Sequence, residues 1–211
     1  MASEPPTSEL IAEGALVVLR DGSRIRVRQG HRSDRELLLR GFERLSPGSR
    51  YRRFLMATPQ LSDEMVRYLT EIDHHDHEAI AAFDELTGEG VGVARFVRKS
   101  DRPDVAEVAV TVVDEWQGRG VATVLLEVLS GRARAEGVTS FTGLLLASNR
   151  EMMELLESLG PVRTLDRQAG TVEVEMPLHD AGLSPALRKL LRVVATVTGT
   201  RPPPATEPAA D

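Results

Sequence analysis

The 211-residue chain has no cysteine. That excludes disulfides, thiolate metal sites and a cysteine nucleophile, and it makes a reducing, cytoplasmic location the expectation. Lysine is almost as scarce: Lys99 and Lys189 are the only two among 26 basic residues. A GC-rich codon bias would produce this skew, and so would a lysine-modifying enzyme that avoids its own product. No apolar run approaches the ~18 residues a membrane-spanning helix needs, so no integral membrane association is expected. The opening Met1-Ala2-Ser3-Glu4-Pro5-Pro6 is acidic and polar, unlike a signal peptide. The net charge of −6 gives no basic field for a nucleic-acid partner.

Hydrophobic residues make up 41% of the chain, enough for one packed domain with tails. Residues 1–14 read as a disordered tail, 15–178 as the domain, 179–199 as a C-terminal segment and 200–211 as a second tail. Ala15 to Arg28 reads as a hairpin turning at Asp21-Gly22. A helix follows from the N-cap candidate Ser33, with Glu36 closing a capping box, and Ser46-Pro47-Gly48 is expected to stop it. Ser62 to Thr70 reads as a second helix. Strands are expected at Ala79–Phe83, Val91–Val97 and Val105–Val113, then a helix from Gly120 to Glu136 with Gly137 at its C-terminal turn. A strand at Phe141–Leu146, a helix at Asn149–Leu159 and strands at Val162–Leu165 and Thr171–Met176 complete the domain. This order implies an α/β (α+β) fold: a mixed, mostly antiparallel sheet flanked by helices, with a parallel step between the Val105 and Phe141 strands. Ser184 to Thr198 carries Leu187, Leu190, Leu191, Val194 and Val197 at helical spacing, an amphipathic helix. Arg20 to Arg53 holds eleven arginines against four acids, a local net of +7, read as solvated faces or as a patch for an acidic ligand.

The stretch Gln117-Gly118-Arg119-Gly120-Val121-Ala122 lies between a β-branched run and a helix start. Two glycines let backbone N–H groups approach an anion with no Cβ in the way, and a helix N-terminus adds unpaired donors and partial positive charge. The spacing is neither the dinucleotide fingerprint nor a P-loop. It resembles the Gln-x-x-Gly-x-Ala pyrophosphate loop of the acyl-CoA-dependent N-acetyltransferase (GNAT) superfamily. The resemblance implies the GNAT fold, with the diphosphate of acetyl-CoA on the amides of Gly118 to Thr123 and a charged contact from Arg119. It implies a pantetheine arm along Val110, Thr111 and Val112, and a contact from Asn149. The cofactor-binding set is thus Val110, Thr111, Val112, Gln117, Gly118, Arg119, Gly120, Val121, Ala122, Thr123 and Asn149.

An amine acceptor needs a base. At pH 7 deprotonating a lysine amine costs about 4.6 kcal/mol, from a reference pKa near 10.4. Glu107 interrupts an apolar strand, Val105-Ala106-Glu107-Val108-Ala109-Val110, where an acid is costly unless paired or useful. The open readings are a catalytic base or a carboxylate paired with Arg95 or Arg98. Three segments narrow the resemblance: Leu45–Phe54, Asp73–Ala79 and Ala106–Val110 look like the acetyltransferase domain of bacterial, especially actinobacterial, protein lysine acetyltransferases. In that family the Glu matching Glu107 is the base, and the acceptor is a protein lysine. The chain has no room for the cyclic-nucleotide domain of some members, so cyclic-AMP control is not expected. Leu156 stands where many GNAT enzymes have a Tyr, seven residues after the Asn, that protonates the leaving thiolate. His74, His75, Asp76 and His77 match no helical metal-ligand spacing, and no metal is expected; the role of the histidines is open. Two alternatives remain: a small-amine acceptor such as a polyamine, aminoglycoside or amino acid, and a non-catalytic acyl-CoA sensor or partner module.

Overall fold

The computed structural model describes residues 14–178. The amphipathic segment Ser184–Thr198 and both tails lie outside the described residues. Eight strands form one sheet in the order β1-β2-β3-β4-β5-β6-β8-β7: β1 (Ala15–Val18), β2 (Arg24–Gln29), β3 (His77–Asp84), β4 (Gly90–Arg98), β5 (Val105–Val112), β6 (Ser140–Leu146), β7 (Arg163–Gln168) and β8 (Thr171–Pro177). Every neighbouring pair is antiparallel except β5 and β6, which are parallel. The helices are α1 (Arg35–Glu43), α2 (Pro47–Phe54), α3 (Asp63–Thr70), α4 (Val121–Ala135) and α5 (Arg150–Leu159).

The single parallel step follows from the connection. Helix α4 carries the chain from β5 back across the sheet to β6, and such a crossover requires parallel neighbours. Its apolar stripe, Val121, Val124, Leu125, Leu126, Leu129 and Ala133, packs on one sheet face with Ile80, Ala82, Ala94, Phe96 and Ala106. Alternation then puts Ala79, Ala81, Val93, Arg95 and Thr111 on the opposite face, where they line a space with residues of α1, α2 and α3.

Several boundaries depart from the sequence reading. Ser46-Pro47-Gly48 starts a helix rather than only ending one: Ser46 Oγ accepts from Ser49 N and Pro47 sits in the first turn, where its missing N–H costs nothing. Ser33 is not the cap of α1. His31 caps a short 3-10 turn, Arg32–Asp34, and Asp34 closes the box that was expected of Glu36. Strand β3 begins at His77, two residues early, and β7 runs to Gln168. Gly137 takes φ +79° after α4, with Val138 N bonded to Ala133 O, the expected C-terminal closure.

Candidate active site

The loop before α4 is held open by its own side chains. Trp116 is buried, and Gln117 Nε2 donates to Val112 O at 3.0 Å and to Ser49 Oγ at 3.3 Å. Gln117 therefore anchors the loop to the end of β5 and to α2, rather than only marking a motif. Gly118 and Gly120 have φ of +73° and +95°, a region that a side chain disfavours, and no atom lies within 4 Å of the position a Cβ would take. Gly120 is the N-cap of α4, and no side chain caps this helix. α2, α3 and α5 are by contrast capped by Ser46, Ser62 and Asn149. The first amides of α4 are thus donors with no protein cap, facing open space. These features fit a diphosphate.

A cleft of about 870 Å3 runs from this loop along β5. It is lined by Val110, Thr111, Val112, Gln117, Gly118, Arg119, Gly120, Val121, Ala122, Thr123 and Asn149, so the structure brings every expected cofactor-binding residue to one space. Asn149 has a second duty: its Oδ1 accepts from Met152 N at 3.2 Å, which leaves the amide nitrogen as the donor available to a ligand. Arg119 stacks 4.8 Å over Trp116 and sits 3.6 Å from Asp21 in the β1–β2 turn.

Strands β5 and β6 fork. Their parallel ladder has three pairs and ends at Glu107 opposite Thr142. Beyond it β5 pairs only with β4, through Val112, while β6 continues against β8. The β6-facing N–H and C=O groups of β5 are therefore left without a strand partner beside the cleft. Glu107 stands at the base of this fork, four residues, or roughly 13 Å of strand, from Thr111.

Glu107 is exposed, so the apolar setting implied by its neighbours in sequence is absent. Those neighbours alternate, and the ones packed by α4 lie on the other face. The pairing with Arg95 or Arg98 is absent too. Arg98 holds Asp76 at 2.7 Å, and Arg95 donates to His77 Nε2 at 3.0 Å and to Leu69 O at 3.1 Å. Glu107 acts instead on Arg53, whose guanidinium burial pushes below its usual range while Glu107 supports its charge. His77 sits in the same row of this face, since Val97 pairs with both His77 and Glu107. Burial, and then the charge of Arg95, hold its imidazole below the ordinary histidine range. Because arginine only donates, His77 Nε2 accepts and the proton resides on Nδ1.

His74 and His75 are tied down by acids: His74 Nδ1 lies 2.9 Å from Glu78 Oε1, and His75 Nδ1 lies 2.6 Å from Glu136 Oε2. Among the described residues no group of three or more His, Asp or Glu is placed to hold a metal. Leu156 is buried in the core and carries no proton donor.

Sequence reasoning missed the contribution of α2. Ser49, Arg52 and Arg53 line the cleft, and Ser49, 5% exposed, receives the Gln117 side chain. The signal in the sequence is the Ser46-Pro47 pair, which fits a helix start as well as a stop. It also missed Thr142, which is 2% exposed and whose Oγ1 has no partner. Thr142 is the residue paired with Glu107 at the last rung.

Residues 48–160 match the acetyltransferase (GNAT) family. The chain belongs to that family. It is 32% identical over 173 residues to Acetyltransferase Pat of Mycolicibacterium smegmatis, covering 77% of this chain and 51% of that protein, so it spans about half the length of that relative. An acetyltransferase of Pseudomonas aeruginosa is 32% identical over 155 residues, covering 72% of this chain and 83% of its own length. The crystal structure of the GNAT domain of S. lividans PAT superposes with a TM-score of 0.72 at 34% identity, covering 78% of this chain and 96% of that one. These relatives support the resemblance to actinobacterial protein acetyltransferases, and the mixed sheet with its one parallel pair is the fold of the family.

Proposed function

We propose that this chain transfers an acetyl group from acetyl-CoA to a primary amine, with Glu107 as general base and a protein lysine as the acceptor. The observation that carries the reading is the fork: an exposed carboxylate at the last rung between β5 and β6, and a cleft from there to an uncapped helix start with two left-handed glycines. The protein-lysine acceptor rests on the resemblance carried by Leu45–Phe54, Asp73–Ala79 and Ala106–Val110.

Acetyl-CoA supplies an acyl carbon activated as a thioester. The β6-facing edge of β5 orients it, and the amides of Gly118 to Thr123 take the diphosphate charge. Glu107 accepts the proton of the attacking amine, typically for ~10²–10⁴ in rate. The nitrogen–carbon bond forms, the carbon–sulfur bond breaks, and the thiolate takes its proton from solvent because Leu156 has none to give. Holding the two substrates together contributes up to ~7–11 kcal/mol.

The test is free-thiol release from acetyl-CoA against a panel of purified protein and small-amine acceptors. Glu107→Gln should lower kcat by ~10²–10⁴ while the Kd for CoA stays within about twofold, because Glu107 lies outside the cradle. A variant as fast as the wild type on a confirmed acceptor removes the base. Tight CoA binding without turnover on any acceptor turns the reading to a sensor.

A further inference from the structure

Behind the cleft, on the sheet face covered by α1, α2 and α3, lies a second cavity of about 110 Å3. Arg53 and Thr111 line both spaces, so the two meet beside the strand that would carry the thioester. Its wall is mostly Leu, Phe, Val, Ala and Gly, and four ionisable groups interrupt it: His31, Asp34, Arg53 and Arg95. Two of the four are spoken for. Asp34 is held by Arg28 through two bonds of 2.7 and 2.8 Å, and His31 Nδ1 lies 2.9 Å from Ser33 Oγ.

The two arginines remain. Arg95 is 5% exposed, and both its bonded partners, His77 Nε2 and Leu69 O, are neutral. Arg53 makes no hydrogen bond among the described residues; its neighbours are the Phe54 ring at 5.0 Å, the charge of Glu107 and the Tyr68 phenol. Among the described residues neither guanidinium is hydrogen-bonded to a carboxylate: the exposed Glu107 supports the charge of Arg53 alone, and the Tyr68 phenol supports both. The shortage of negative charge is visible in Arg95: burial, then repulsion from Arg53, push it down to about 9. A buried cation without a counter-charge is costly, and the strongest way to satisfy a guanidinium fork is a bidentate carboxylate. At ~30 Å3 per water, the cavity has the volume of three to four waters, more than an acetyl methyl fills.

We infer that this cavity recognises a carboxylate carried by one of the two substrates, held between Arg53 and Arg95. The carboxylate belongs either to the far end of a dicarboxylic acyl group on CoA or to the amine acceptor. The inference rests on the acyl-transfer reading above and adds a substrate class to it.

Two arms separate the sources. In the first, calorimetry compares succinyl-CoA with butyryl-CoA, which match in chain length and differ in the terminal carboxylate. In the second, with acetyl-CoA as donor, kcat/KM is compared for lysine and lysinamide. In at least one arm the carboxylate partner should be favoured by ~10-fold or more, as a charge-assisted bond allows. Arg53→Met should erase the preference, and Arg53→Lys should keep only part of it. Because each arm reads a ratio, a general loss of activity cancels. If Arg53→Met does not fold, Arg53→Lys carries the test, since Arg53 has no hydrogen bond to lose. Acetyl-CoA binding and turnover with no preference in either arm overturn this inference alone, as does a preference that survives in both Arg53 variants. If no CoA ester binds at all, the acyl-transfer reading falls with it.

Discussion

The two ends of α4 are built to opposite rules. At its C-terminal end protein groups saturate one buried carboxylate. Glu78, wholly buried, receives four bonds: from Ala79 N and His74 Nδ1 on one oxygen, and from Gln29 Nε2 and Arg132 Nε on the other. Arg132 also holds Glu136, which holds His75, and the arginine complements the helix dipole. At the N-terminal end Gly120 caps the helix without a side chain, and the first amides face a cleft. A helix end saturated by protein is a structural joint, and one left uncapped beside open volume has donors free for a ligand. The His-rich turn that invites a metal belongs to the joint. His74, at φ +61°, is tied at both ends: its N–H donates to His77 O at 3.0 Å and its ring lies 2.9 Å from Glu78.

Breaking each end in turn should separate stability from binding. The largest effect is expected at the joint. Glu78→Gln turns a saturated carboxylate into an amide that presents N–H groups to donors, and should cost about 3–5 kcal/mol in urea unfolding, with CoA affinity unchanged in whatever fraction folds. At the open end, Gly120→Val forces a β-branched residue to positive φ, worth about 1–3 kcal/mol. CoA binding by calorimetry should weaken roughly 10- to 100-fold, with a smaller fall in stability than Glu78→Gln produces. Equal effects of the two variants on both readouts would erase the distinction.

A smaller effect sharpens the comparison through pH. His77 has its folded pKa below that of the unfolded chain, so below the ordinary histidine value of about 6.5 the unfolded chain binds the proton more readily. Stability should fall as pH drops through that value and level off once the lower folded value is passed. Urea melts at pH 7.5 and 5.5 should lose more stability in the wild type than in His77→Gln. The smallest change is expected at Asp73. Its Oδ1 accepts from the backbone N–H groups of His75, Asp76 and His77; burial opposes ionisation, but these donors outweigh it and hold the carboxyl below its usual range. Asp73→Asn should cost about 1 kcal/mol at neutral pH, since the residue is exposed and screened. That difference should vanish once both folded and unfolded carboxyls are protonated.

The cradle was legible because it is local: two glycines, an apolar strand before them and a helix pattern after them are one continuous stretch, and φ > 0 at glycine is written in residue identity. The strand order and its parallel step were legible because periodicities of 2 and 3.6 separate strands from helices. Helix α2 was not, because Ser46-Pro47-Gly48 carries stop and start signals at once, and only the packing of Ser49 against Gln117 decides between them. The environment of Glu107 was not, because exposure on a strand depends on which face a distant helix covers.

By itself the sequence determined most of the elements, the two-glycine turn before α4 and the carboxylate ten residues before Gln117, since each depends on neighbours along one backbone. Only the tertiary structure decided that β5 and β6 part at Glu107, that Arg53 and Arg95 share one wall, and that His74 and His75 meet Glu78 and Glu136. Most of those depend on residues tens of positions apart, and charge and burial act through space, whatever the separation along the chain.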